Sequence, residues 1–222
     1  MSGAARRAPG KVAAITGAGR GIGAAIAARL IADGWEVVGL VRRPAATAPA
    51  GMRLIACDVT DRASVTRAFA AIPRLDALVN NAGLAGAHGV SAAADDTWAA
   101  ILAANLTGTW HCCSAAAALL GQGGRIVNIA SVLGLRAVAD QPAYVAAKHG
   151  VVGLTRSLAL ALAPRGIAVN AVAPGWVETE MAAARLVELG IAQAAAEASV
   201  PSRHFARAAE VAGVVAFLLG PD

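Results

Sequence analysis

Short apolar runs alternate along the chain with longer segments of helical periodicity. The runs are KVAAIT (11–16), WEVVGLV (35–41), RLIAC (53–57), LDALVN (75–80), RIVNIA (125–130) and GIAVNAV (166–172). Each is apolar throughout rather than alternating apolar and polar, the pattern of strands covered on both faces. Between them the spacing predicts helices at about Gly21–Asp33, Asp61–Ile72, Asp95–Leu120 and Pro142–Ala163. Strands separated by helices imply right-handed βαβ crossovers, hence a parallel sheet of α/β class. RRPAATAPAGM, between the second and third runs, is short and carries prolines, so that crossover is expected to hold little or no helix. After GIAVNAVAPG the pattern predicts helix near Glu178–Glu197 and a last helix near Ala206–Leu219.

Composition narrows the class. At 222 residues, 57% apolar and 15% charged, the chain has material for one large core. Residues 1–10 read as a flexible polar arm with no long apolar stretch, a poor signal peptide. No window offers about 18 uninterrupted apolar residues, so no membrane span is expected. Three cysteines, two of them adjacent (Cys112, Cys113), suit reduced thiols in a cytoplasmic protein rather than disulfides. The net charge of +5 comes from arginines scattered singly, which reads as solvated surface and not as a nucleic-acid site. His111 beside the cysteine pair lacks metal-ligand spacing, and no metal is expected.

VAAITGAGRGIGAAIAARL reads as a strand, a glycine turn and a helix. Gly17 permits the tight turn, Gly21 lets the backbone approach a pyrophosphate, and Gly23 lets the helix pack close to the strand. Ile22 lies between the last two and is counted with this turn. The helix N-terminus presents free N–H groups and a positive dipole end to phosphates. In the first βα turn of an α/β chain, this arrangement predicts dinucleotide binding. The second strand ends GLVRRP, with Val41 where NAD sites usually hold a carboxylate and with Arg42 and Arg43 following. No acid is expected nearby to repel a 2′-phosphate, and Arg20 can reach the same region. Guanidinium forks suit phosphate oxygens, so NADP(H) is predicted over NAD(H).

PAYVAAKHG holds Tyr144, the only tyrosine, and Lys148, one of two lysines against seventeen arginines. Pro142 opens the helical run, so the two lie one turn apart on one face. A free phenol has a pKa of about 10 and is a poor acid or base at neutral pH. A nearby ammonium is expected to lower that value, letting the phenol exchange a proton with an alcohol or carbonyl oxygen. Lysine also offers rotatable donors for ribose hydroxyls, where a flat guanidinium fits less readily.

TGAGRGIG, NNAG, NLTG, NIAS, YVAAK and APGWVET, in this order, resemble the short-chain dehydrogenase/reductase family over nearly the whole chain, from about Lys11 to Leu219. The resemblance implies a doubly wound Rossmann-type sheet, a bound nicotinamide nucleotide and carbonyl–alcohol interconversion. It implies that Tyr144 is the general acid in reduction and that Lys148 binds the nicotinamide ribose and lowers the tyrosine pKa. Ser131 would hydrogen-bond the substrate oxygen, and Asn105 would hold a water linking Lys148 to solvent. Asn81, Ala82 and Gly83 would line the adenine ribose, Asp58 and Val59 the adenine edge, and Pro174, Gly175, Val177 and Thr179 the nicotinamide.

Family members usually continue past VAFLLGPD into a seventh strand. Here a six-stranded sheet with an exposed edge at the sixth strand is expected. That departure bears on whether the family's homodimer or homotetramer forms, and on activity. NLTGT, KHGVVGLT and PGWVETEMA are similar to 3-oxoacyl-carrier-protein reductases and polyketide ketoreductases. YVAAKHGVVGLT and PGWV are similar also to 3-hydroxybutyrate dehydrogenases, which usually use NAD. A substrate lid near 180–199, mostly Ala, Leu and Val, favours an apolar or acyl ketone, free or bound to a carrier protein or CoA. Arg185 and Arg203 are the cations available there for a phosphopantetheine or carrier. A non-catalytic nucleotide-binding scaffold is the reading from another class, because fold does not fix function.

Overall fold

In a computed structural model, residues 10–44 and 50–220 are described. All but Gly10 of the expected N-terminal arm, and residues 45–49 of the RRPAATAPAGM connection, lie outside them. The six apolar runs form β1 (Val12–Thr16), β2 (Glu36–Val41), β3 (Met52–Ala56), β4 (Leu75–Asn80), β5 (Leu120–Ile129) and β6 (Ala168–Val172). They pair in parallel in the order β3-β2-β1-β4-β5-β6. The order reverses between β1 and β4, and a crevice opens at the carboxyl ends of these two strands. Among the described residues, β6 is an edge strand, with Ala171 exposed.

Alternate strand residues feed two cores. Ala13 and Ile15 of β1 point to one face, with Val79 and Val127, under α1 (Gly21–Ala32) and α8 (Ala208–Leu218). Ala14, Leu78 and Ile126 point to the other, under α2 (Arg62–Ala70), α4 (Gly108–Leu119) and α5 (Pro142–Leu162). Burial on both faces explains why the strands are apolar without alternation.

Three boundaries differ from the periodicity. The helix expected over Asp95–Leu120 is α3 (Asp95–Leu102), a wide turn over Ala103–Thr107, and α4. In the wide turn Gly108 N donates to Ala103 O, five residues back. The Asn105 amide donates to Ile101 O and the Thr109 hydroxyl to Asn105 O, so polar side chains compete for the carbonyls of the helical ladder. The stretch near Glu178–Glu197 is two helices, α6 (Glu180–Leu189) and α7 (Gln193–Ser199), parted where Gly190 adopts φ +64°. β5 begins at Leu120 rather than Arg125, with a register irregularity after the Leu75–Leu120 pair.

The packing of α1 onto the glycine turn leaves no room at Gly23. A Cβ there would lie 2.3 Å from Gly17 O and 2.5 Å from Asn81 Nδ2. Gly23→Ala is expected to destabilise the fold by about 1–3 kcal/mol through overpacking. Thermal melting checks this, since each kcal/mol lost should lower Tm by about 2–4 °C in a chain of this size. An unchanged Tm would show that α1 can retreat freely.

Candidate active site

The crevice is built first by hydrogen bonds between β1 and the segment after β4. The Thr16 hydroxyl accepts from Asn81 N (2.9 Å) and Ala82 N (3.0 Å). The Asn81 side-chain amide donates back to Thr16 O (3.0 Å) and Gly17 O (3.2 Å). Gly17 (φ +66°) and Gly21 (φ +53°) occupy left-handed backbone that other residues rarely adopt. Arg20 precedes α1 without capping its N-terminus by its side chain, so the first-turn N–H groups of α1 face the crevice uncapped, with Ile22 half-buried among them. Arg20 instead meets Glu180 at 2.6 Å, at the start of α6. Thr179 caps α6 by accepting from Ala182 N, and its methyl lies 3.4 Å from where a Gly21 Cβ would stand. Glycine turn and α6 thus approach across the crevice.

On the far side Val41 ends β2, and Arg42 and Arg43 are exposed. The expectation of no nearby acid is not met. Asp58 accepts from Thr60 Oγ1 (2.7 Å) and Thr60 N (2.9 Å), and these bonds, then the Arg42 charge, hold its carboxyl below the usual value. Val59 is buried, and its carbonyl lies 3.0 Å from His111 Nδ1, which ties this loop to α4. His111 therefore has a structural partner. Burial first of all raises the pKa of Cys57 to about 11 and of Cys113 to about 12, leaving both as thiols at neutral pH.

Ser131, at the end of β5, and Tyr144 and Lys148, on α5, come together beside the crevice. The Ser131 hydroxyl accepts from Leu133 N (3.1 Å) and is close enough to Tyr144 to favour its phenolate. Lys148 Nζ lies 5.5 Å from the Tyr144 ring centre and donates to Ile129 O at 2.7 Å. The expected lowering of the Tyr144 pKa is not seen. Burial dominates and raises it, because the charged phenolate is the form that desolvation disfavours. The same burial pushes Lys148 down to about 8. Asn105 sits in the wide turn, its amide donating to Leu84 O (2.7 Å) and Ile101 O (2.9 Å). Its buried Oδ1 accepts from no described residue. Gly83 stands against that oxygen, which a Cβ there would meet at 2.5 Å.

The remaining predicted residues follow β6. Pro174 O accepts from Val132 N (2.9 Å), which joins this segment to the turn after Ser131. Gly175 is exposed, and Val177 is buried in a bridge with Ala206. The two arginines read as available cations are engaged: Arg185 with Asp140 and Glu188, and Arg203 with Ala198 O. Several positioning residues carry no sequence signal of their own. A Cβ on Gly134 would strike Lys148 O at 2.7 Å, so only glycine lets the Ser131 turn lie this close to α5. His88 accepts from Ala143 N (3.3 Å) through Nε2, and its backbone N–H donates to Asp140 O (3.0 Å). It thereby ties the segment after β4 to the start of α5.

The family model described as short chain dehydrogenase matches residues 11–188. The chain belongs to the short-chain dehydrogenase family. It is 37% identical over 214 residues to the 3-oxoacyl-[acyl-carrier-protein] reductase MabA of Mycobacterium tuberculosis, covering 94% of this chain and 85% of that protein. Among solved structures, a single-residue variant of the actinorhodin polyketide ketoreductase with NADPH superposes with a TM-score of 0.87 at 35% identity, covering 96% of this chain and 91% of the other. The ligand-free aldohexose dehydrogenase of Thermoplasma acidophilum gives a TM-score of 0.89 at 32% identity, covering 95% and 87%. This short-chain dehydrogenase is thus an NAD(P)-dependent oxidoreductase acting on CH–OH groups.

The residues of this family member fit a nicotinamide nucleotide. The glycine turn excludes side chains, the α1 N-terminus is uncapped, and Asn105 Oδ1 has acceptor capacity to spare. Lys148 is buried with one carbonyl as its partner, an unfavourable state for an ammonium unless a ligand shares it. Its depressed pKa means that the unfolded chain binds the extra proton between about pH 8 and the ordinary lysine value. Stability of the ligand-free protein should therefore rise as pH increases through that window, the penalty being fully present below it. Lys148→Met is expected to raise the ligand-free Tm at pH 7 by at least about 2 °C. A lower Tm in that variant would mean that the lysine is better satisfied than its single hydrogen bond implies.

Proposed function

We propose that this chain is a carbonyl reductase, converting an apolar or acyl ketone to a secondary alcohol with NADPH and using Tyr144 as the general acid. The observation that carries this reading is the convergence of Ser131, Tyr144 and Lys148 next to an open glycine turn. Arg42, exposed at the end of β2, would take the 2′-phosphate. Gly17, Gly21, Ile22 and Gly23 would hold the pyrophosphate, and Asp58, Val59, Asn81, Ala82 and Gly83 the adenosine half. Pro174, Gly175, Val177 and Thr179 would flank the nicotinamide. When bound, the nucleotide supplies the hydrogen and electron pair that the carbonyl carbon gains.

The chain's own residues handle the oxygen. Ser131 donates to the carbonyl oxygen and stabilises the charge that develops there. Tyr144 O–H gives its proton to that oxygen; the raised pKa keeps the phenol protonated and ready before reaction. The Lys148 ammonium, on the same helix face, offsets the phenolate left behind. Asn105 Oδ1, buried and without a partner among the described residues, would hold a water that returns the proton from solvent. The MabA relative is named for reduction of 3-oxoacyl groups on a carrier protein, which supports an acyl ketone here. No helix among the described residues is long and apolar enough to cross a membrane. The three buried free thiols suit a reducing compartment such as the cytoplasm.

Tyr144→Phe is expected to abolish turnover of the best ketone, since the hydroxyl is the proton donor, while NADPH binding measured by fluorescence stays close to wild type. Near-full activity in that variant would remove Tyr144 from the chemistry.

Cofactor choice is tested by the NADPH/NADH ratio of kcat/KM. A charge-assisted bond from Arg42 to the 2′-phosphate contributes about 1.5–3 kcal/mol, or about ten- to hundred-fold. Exposure and the nearby Asp58 move the expectation to the low end, and salt should weaken it further. Arg42→Ala is expected to erase most of the preference and Arg20→Ala a smaller part, because Glu180 already competes for Arg20. A wild type that favours NADH would overturn the NADP reading.

A further inference from the structure

A cleft of about 510 Å³ opens beside the turn that follows Ser131. Its walls are apolar: Val132 and Leu135 from the turn after Ser131, Trp176 from the segment after β6, and Val200 and Pro201 beyond α7. Trp176 is held by stacking on Phe205, ring centres 5.0 Å apart, so this wall is rigid. The one charged side chain lining the cleft is Arg136. Its backbone N–H donates to Val132 O (3.0 Å), which puts it one turn beyond Ser131. Ser199, the remaining polar side chain of the lining, gives its hydroxyl to Ala196 O.

The other arginines around this end of the molecule are spoken for. Arg185 lies between Asp140 and Glu188 and is only 14% exposed. Arg203 donates to Ala198 O, Arg207 pairs with Glu210, and Arg20 pairs with Glu180. Asp140, the acid closest to Arg136 in sequence, is taken by Arg185. Arg136 is exposed and has no ion-pair partner among the described residues. A weakly hydrated guanidinium beside apolar walls is a recognition element for a planar or tetrahedral anion.

We infer that Arg136 is a specificity-determining residue, selecting ketones that carry an anionic group remote from the carbonyl. This deepens the proposed carbonyl reductase reading and rests on it. With the carbonyl at Ser131 and Tyr144, the rest of the substrate lies along Val132 and Leu135, and the anion meets the Arg136 guanidinium. The shared chemistry is an anion accepting two parallel hydrogen bonds; its source is either a carboxylate on the substrate or the phosphate of a thioester carrier arm.

Two substrate pairs separate these sources. The first is 4-oxopentanoate against its neutral methyl ester, and it reports a carboxylate. The second is acetoacetyl-CoA against acetoacetyl-N-acetylcysteamine, which keeps the thioester and lacks the phosphates. Wild type is expected to favour the charged member of at least one pair by about tenfold in kcat/KM at low salt, mainly through KM, with the preference shrinking as salt is added. Arg136→Gln should erase that preference, Arg136→Glu should reverse it, and Arg136→Lys should retain part of it. Equal use of both members of both pairs, or a preference that survives Gln and Glu alike, overturns the role of Arg136 and leaves ketone reduction standing. If wild type turns over no member of either pair with NADPH or NADH, the proposed function falls, and this inference with it.

Discussion

The hydrogen bonds between Thr16 and the segment after β4 are the constraint on which the site depends. At the point where β1 and β4 part, backbone groups are partly buried and have no strand to pair with. Thr16 supplies the missing acceptor to Asn81 N and Ala82 N, and the Asn81 side chain supplies donors to Thr16 O and Gly17 O. An unpaired buried amide or carbonyl costs about 1–3 kcal/mol, so this exchange decides whether the crevice keeps its shape. It also sets how close α1 can come, because Asn81 and Gly17 are the groups that a side chain at Gly23 would strike. The glycine turn and the loop after β4 are thereby held as one unit.

A second buried polar network fixes α5. Asn80 Nδ2 donates to Asn128 Oδ1 (2.8 Å), Asn128 Nδ2 to the Thr155 hydroxyl (2.9 Å), and that hydroxyl to Val151 O (2.7 Å). Thr155 lies two turns beyond Lys148 on the same helix, so a hydrogen-bonded chain from β4 through β5, in which only Asn80 Oδ1 lacks a partner, sets the register of α5. Such networks specify one arrangement where apolar packing alone tolerates several. The helix then carries a cost at its functional end, where Lys148 is an ammonium in an apolar setting with a single carbonyl. Stability is given up at that position in favour of a charge that a ligand can use.

Two of the paired surface arginines join separate elements. Arg185 ties α6 to the loop before α5, and Arg20 ties α6 to the glycine turn. His88 holds the segment after β4 to the same loop and to Ala143 at the start of α5. These contacts link α6, the start of α5 and the glycine turn. Arg42 and Arg136 are both exposed, one just after β2 and one in the lining of the apolar cleft. The exposed ion pair of Arg20 with Glu180 is the weakest of the ties, because solvent screens it.

Much of this was legible in the residues alone. Apolar runs without alternation mark strands buried on both faces, and glycines at Gly17, Gly21 and Gly23 mark a turn that only backbone can occupy. Both are local constraints, written into short stretches, and the parallel α/β sheet and its glycine turn follow from them. The single tyrosine and the rare lysine, one helical turn apart, identified the candidate acid–base pair for the same reason. Tertiary structure decided what depends on several distant segments meeting. Burial of Tyr144 and Lys148 set the direction of their pKa shifts, opposite for the tyrosine to what pairwise spacing implied. The approach of Asp58 to Arg42, the capture of Arg185 by Asp140 and the need for glycine at Gly134 came from loops brought together by the sheet. Desolvation and charge pairing are properties of the assembled surroundings, and no local pattern of residues encodes them.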